Sequence, residues 1–99
     1  MTTIHTAYVE ATVLSNHRTA RGAAVALMDD LRTRLERNGS TNLTDPEHAV
    51  LVDTILEQGI VNLNQGASMT KCALPEERMT RLSFLINRQF KVEEVPLLD

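Results

Sequence analysis

Between Val9 and Leu35 the apolar positions recur at steps of three and four. Val9, Val13, His17, Ala20, Ala24, Leu27, Met28, Leu31 and Leu35 fall on one stripe when the chain is wound at about 100° per residue, the pattern of a long amphipathic helix. This predicts a first helix over about residues 7–37, stopped at Asn38-Gly39, where glycine can take the left-handed backbone that closes a helix. The start is open to two readings. Thr2 to Leu14 is rich in β-branched residues, and Ser15 or Asn16 would cap a shorter helix. The alternative is an extended arm over Thr2–Val13 that makes its contacts through Ile4 and Tyr8, which miss the stripe. The long helix from about Ala7 is the reading preferred.

A second helix is expected over residues 45–64. Thr44 and Glu47 have the spacing of a capping box, with Pro46 where a missing N–H costs nothing; Asp45 is the alternative cap. Ala49, Val52, Ile55, Leu56, Gly59, Ile60 and Leu63 form its apolar arc, while Val50 and Val61, three turns apart, mark a second contact face. The small, polar run from Gly39 to Leu43 predicts a tight connection, so the second helix turns back on the first as an αα-hairpin. Asn64 to Leu74 breaks the helical path. A third helix then covers residues 75–90, opened by Pro75 with Glu76 and Glu77 in the first turn, where they complement the helix dipole. Met79, Leu82, Leu85, Ile86 and Phe90 make its buried face. The tail over 91–99 is expected to be extended, because Val92 and Val95 favour strands and Pro96 restrains Val95.

Ninety-nine residues fit a single domain, 1–99. One Tyr and two Phe are the only aromatic residues, so Leu, Val, Ile, Ala and Met must fill the core, a composition suited to helices. The fold class expected is therefore all-α: a three-helix unit with a long first helix, an αα-hairpin plus a third helix. Three helices alone cannot hide so much apolar stripe. Pairing of two chains into a helical-bundle homodimer would bury the excess, through Ala20, Ala24, Leu27, Met28, Leu31 and Leu35 on the first helix.

The net charge of −3 argues against a general nucleic-acid binder. The charge is uneven, mildly basic before Thr41 and acidic after it. A lone Cys72 excludes an internal disulfide and a thiolate metal cluster, and fits a reducing, cytoplasmic location. No apolar run approaches the roughly 20 residues that cross a bilayer. His5, His17 and His48 are too scattered in sequence for a zinc site, and Cys72 has no neighbouring base to activate it. No catalytic, cofactor-binding or metal-ligating group is expected, and the chain reads as something other than an enzyme.

What remains is apolar surface framed by charge. Phe84 falls on the outer side of the third helix with Arg81 and Arg88 beside it, the composition of an interface anchor; the alternative is that it packs under the carboxy-terminal tail. With Val50 and Val61 it forms the predicted partner-binding set. The hairpin HRTARGAAVALMDDLRTRLERNG–TDPEHAVLVDTILEQGIVNL and the final helix RMTRLSFLINRQFKV with its extended tail resemble the bacterial quorum-sensing antiactivators, small helical inhibitors of LuxR-type transcription factors. The resemblance implies binding to a protein, a LuxR-type activator, by occlusion of the surface it uses for dimerisation or for DNA. It transfers no individual functional residue. The alternative reading is a small DNA-binding regulator working through the Arg-bearing faces.

Overall fold

In the computed structural model the described residues are 2–39, 42–65 and 69–97. They form β1 (Thr2–Val9), β2 (Thr12–His17), α1 (Ala20–Asn38), α2 (Asp45–Gln58), β3 (Ile60–Asn62), α3 (Glu76–Leu85) and β4 (Gln89–Leu97). The strands make one antiparallel sheet in the order β2-β1-β4-β3. The helices pack on the face that carries Ala7, Val9, Val61 and Phe90. This α+β architecture overturns the all-α, helical-bundle expectation.

The error begins at residue 7. Val9, Val13 and His17 are four apart, a spacing that satisfies period two as well as period 3.6, so the helical stripe ran into a segment that is a hairpin. Among the two readings of the amino terminus, the extended one matches the strand. Ile4 and Tyr8 lie on the sheet face turned away from the helices, with Lys91 Nζ 5.3 Å from the Tyr8 ring centre. The turn carries no Gly, Asn or Pro. Glu10 instead takes φ 55°, and is held there by two bonds to Gln89: its N–H donates to the Gln89 carbonyl at 2.8 Å and its carboxylate accepts from the Gln89 N–H at 3.1 Å. The pairing skips Leu14, a bulge in the edge strand β2.

α1 therefore starts at Ala20, not Ala7, capped by the Thr19 hydroxyl, which accepts from the Gly22 N–H at 3.0 Å. It ends at Gly39, φ 69°, where the sequence placed the stop. Its stripe of Ala23, Ala24, Leu27, Met28, Leu31 and Leu35 is fully buried and shares one core with Ala7, Val9 and Phe90. The capping box of α2 forms as read, with Thr44 as cap and Pro46 in the first turn. Contacts between α1 and α2 run in opposite order along the two helices, at Arg21–Asp53, Asp29–His48 and Arg32–Asp45, so the pair is antiparallel. The connection itself includes residues 40 and 41, outside the described set.

α2 stops at Gln58 rather than 64. Gly59 at φ 79° turns the chain out of the helix and into β3, so the glycine read as a close-packing residue is a C-cap. The buried arc is rotated accordingly, onto Leu51, Val52, Thr54 and Ile55, leaving Ala49 and Leu56 exposed. α3 stops at Leu85 rather than 90, and Phe90 reaches the core from a strand. It has no exposed surface and sits opposite both Val9 and Val61, at the junction of three strands. The tail is extended as expected through Leu97, but it is an inner strand of the sheet; residues 98 and 99 lie outside the described set. Pro96 is tolerated because alternate β4 N–H groups point away from β1. The Val92 N–H points to Gly59 on that side, and Pro96 shares its parity where β3 no longer runs.

One partly buried ion pair ties α3 to the start of α2. Arg78 donates Nε to Glu47 Oε2 at 2.5 Å and Nη2 to Glu47 Oε1 at 3.1 Å, and Nη2 also donates to the Asn42 carbonyl at 2.8 Å. Burial alone would raise the Glu47 pKa, but the bonds from Arg78 and Thr44 and the Arg78 charge outweigh it and hold the carboxyl below its ordinary range.

Two outcomes are expected. Phe90→Ala empties the strand junction and lowers unfolding stability by about 3–5 kcal/mol, read from urea denaturation. Since the folded Glu47 pKa is depressed, its contribution is present above the ordinary glutamate range and is lost as pH falls through the folded value. Arg78→Met removes charge-assisted bonds worth about 2 kcal/mol at neutral pH, and its stability declines less steeply than the wild type's on acidification. Parallel acid limbs in the two proteins would show that the pair does not carry this linkage.

Candidate functional site

The outer side of α3 is positioned by its inner side. Met79, Leu82 and Ser83 are buried, and the Ser83 hydroxyl donates to the Leu63 carbonyl at 2.5 Å, which fixes the helix's rotation. One residue further round, Phe84 projects into solvent with 72% of its surface exposed, the most exposed large apolar side chain among the described residues. Arg81, a turn earlier, and Arg88, just past the helix end, are exposed as well. Arg81 shares α3 with Phe84, whereas Arg88 lies past the helix end and lines clefts that Phe84 does not line. Val50 and Val61 do not join Phe84. Val61 has no exposed surface and pairs with Phe90 in the core; Val50 is half-buried on α2.

The Phe84 ring borders a shallow depression with Met69, Gln65 and Thr80, of about 370 Å³. A separate cleft of about 350 Å³, which Phe84 does not line, is surrounded by Arg34, Arg37 and Arg88 with Leu85 and Ile86 in its wall. This cleft is held open at its end by Asn38, whose amide donates to the Leu85 carbonyl at 3.3 Å and joins the last turn of α1 to that of α3. Arg34 is braced by Asp30 at 2.7 Å. Arg37 makes no ion pair among the described residues. A further depression shares Arg34 and Arg88 and continues to the exposed Val13 and Leu14 of β2.

Arg34, Arg37 and Leu14 were missed as surface groups. The only sequence signal is the mild basicity of the first 40 residues; the apolar stripe already leaves Arg34 and Arg37 off the buried face of α1, and what the fold adds is the nearness of Arg88 and Leu14. The residues assigned to a dimer seam have a different place. Ala24, Leu27, Met28, Leu31 and Leu35 have no exposed surface in the single chain, and Ala20 is half-buried. The surplus of apolar stripe that argued for pairing is taken up by the sheet.

The fold also brings His5 into register with His17 on one side and Glu94 on the other, although sequence separates them widely. The His17 ring nitrogen Nε2 lies 2.6 Å from the Ser15 hydroxyl. Among the described residues, no group of three His, Cys, Asp or Glu side chains is placed to hold a metal ion. Cys72 is half-buried, with Sγ 3.6 Å from the Met79 sulfur. No helix is long and apolar enough to cross a membrane among the described residues. Comparison with known proteins gives no matching family model, curated protein or solved structure, so the site is argued from its own geometry.

The two predicted contact residues of opposite burial give a direct check. Phe84→Asp changes stability by no more than about 0.5 kcal/mol, as for surface positions generally. Val61→Asp buries an unpaired carboxylate and unfolds the domain. Circular dichroism with thermal melting separates the two, and a melting temperature equally lowered in both would place Phe84 in the core.

Proposed function

We propose that this chain is a protein-binding domain that acts by contact and occlusion, as an inhibitor or modulator of a regulatory protein. The observation that carries the reading is Phe84: a large aromatic ring, 72% exposed on α3, a turn from the exposed Arg81 and bordering a depression with Gln65, Met69 and Thr80. Leaving such a ring in water forgoes about 1.5–3 kcal/mol of burial, and Phe with Arg is the pairing that anchors protein interfaces. The resemblance to the antiactivators points in the same direction for mode of action, with a transcription activator of the LuxR type as the proposed partner. The all-helical fold that resemblance implied is not the fold of this chain, and the proposal rests on the surface instead.

A direct test is affinity capture from the native cell with wild-type protein and Phe84→Asp, followed by calorimetry with the purified captured protein. We expect a partner held by the wild type and lost, by about tenfold or more in affinity, on Phe84→Asp. Equal capture by both proteins would remove Phe84 as the anchor.

A further inference from the structure

We infer that the arginine-lined groove between the last turn of α1, the α3–β4 connection and the β1–β2 hairpin is a docking site for an acidic peptide segment carrying aliphatic side chains. This rests on the protein-binding reading and names the chemistry of the partner's contacting segment.

Charge complementarity is the first support. In a chain of net charge −3, three guanidinium groups line this groove. Asp30 meets one of them, Arg34, through Nε alone. Among the described residues the Arg88 guanidinium donates only to the Asn87 carbonyl, at 3.1 Å, and Arg37 has no ion-pair partner. Guanidinium pairs planar carboxylates with two parallel bonds, so free donors spaced along a groove select side-chain carboxylates on an extended segment. Glu10 at the far end has its carboxylate on the Gln89 N–H and adds the one acidic group near the apolar end.

The apolar part is the second support. Leu85 and Ile86 form the wall beside Arg37, and Val13 and Leu14, 51% and 40% exposed, lie at the other end beyond Arg34 and Arg88. Leu14 is the residue that the β2 bulge leaves without a partner on β1, which presents it outward beside the groove. A simple oxyanion site would bring its donors to one point. Here they lie between the half-buried Leu85 at one end and the exposed Val13 and Leu14 at the other, the arrangement of an interface with apolar anchors and charged flanks. A peptide with carboxylates for Arg37, Arg34 and Arg88 and aliphatic side chains for Leu85 and Leu14 satisfies both parts, whereas a nucleic-acid strand would leave Leu85 and Leu14 unused.

The full chain is titrated with a labelled peptide of about ten residues built from Glu and Leu on a Gly-Ser background, followed by fluorescence anisotropy. Companion probes are the same peptide with Lys for Glu, the same with Gly for Leu, inorganic phosphate, and a single-stranded oligonucleotide. The Glu-Leu peptide binds, binding weakens with salt, and the Lys peptide does not bind. Arg37→Glu and Arg88→Glu each weaken it by about tenfold or more, and Leu14→Asn weakens it to a lesser degree. Arg18→Glu, an exposed arginine outside the groove, leaves it unchanged. Circular dichroism confirms the fold of each variant. Loss of affinity in Arg18→Glu equal to that in Arg37→Glu would reduce the effect to net charge and overturn the assignment. So would equal binding of the Gly-for-Leu peptide with displacement by phosphate, or tighter binding of the oligonucleotide. Because this titration needs no native partner, its failure leaves the Phe84 capture result standing, and failure of Phe84→Asp to affect capture leaves the groove standing.

Discussion

Everything in this fold depends on one close approach, that of α1 to the paired strands β1 and β4. Ala23 and Ala24 on the helix and Ala7 on the strand are all without exposed surface, and small side chains there let the helix axis lie low over the sheet. Leu27, Met28, Leu31 and Leu35 can then reach the strand junction around Phe90. A larger residue at any of the three alanines would force the layers apart and open cavities along the whole stripe, because interiors pack at crystal-like density and relax only in part. The alanine-rich stretch that resembles a helix–helix seam in sequence is a helix–sheet seam in the structure, and the requirement for small residues is the same in both.

The second layer of constraint is electrostatic and local. Glu47 reciprocates the Thr44 cap and also receives Arg78, so a single carboxylate caps the start of one helix and fixes another. Removing either partner leaves the other partly desolvated without its charge-assisted bonds. The Ser83 bond to the Leu63 carbonyl completes the setting of α3 from its other side. Phe84 points outward as a consequence of these inner contacts.

How much of this was legible follows from which signals are local. The capping box at Thr44, the glycine stop at Gly39, the acidic start of α3 and the extended character of residues 91–97 are set by near neighbours and were read correctly. Helix ends at Gln58 and Leu85 were overrun because Gly59 looks the same inside a helix as at its end, and because Phe90 suits a helix face and a strand centre equally well. The hairpin was hidden by its turn: Glu10-Ala11 lacks the residues that announce a reversal, and the left-handed backbone at Glu10 is secured by bonds to Gln89, 79 positions away in the chain. Of the site, Phe84 and Arg81 are visible from helical geometry, whereas Arg88 lies past the helix end and its meeting with Arg34, Arg37 and Leu14 depends on the fold. Val61 was assigned to a surface because a strand residue was placed on a helix.

The treatment of the sheet edges bears on where recognition takes place. Beyond β3 the free side of β4 presents the Glu94 backbone and then Pro96, which has no N–H to offer an incoming strand. At the other edge, the bulge at Leu14 distorts β2 and interrupts a straight hydrogen-bonding row. On β3 itself Thr70 takes both backbone groups of Asn62, so these free sides are poor templates for strand addition, which is the simplest way for a sheet to acquire a partner. Side-chain surfaces are left to carry it. The same bulge that spoils the edge presents Leu14 beside the arginine groove, and the same α3 rotation that buries Ser83 exposes Phe84, so the features that discourage indiscriminate pairing also expose the apolar side chains left for recognition.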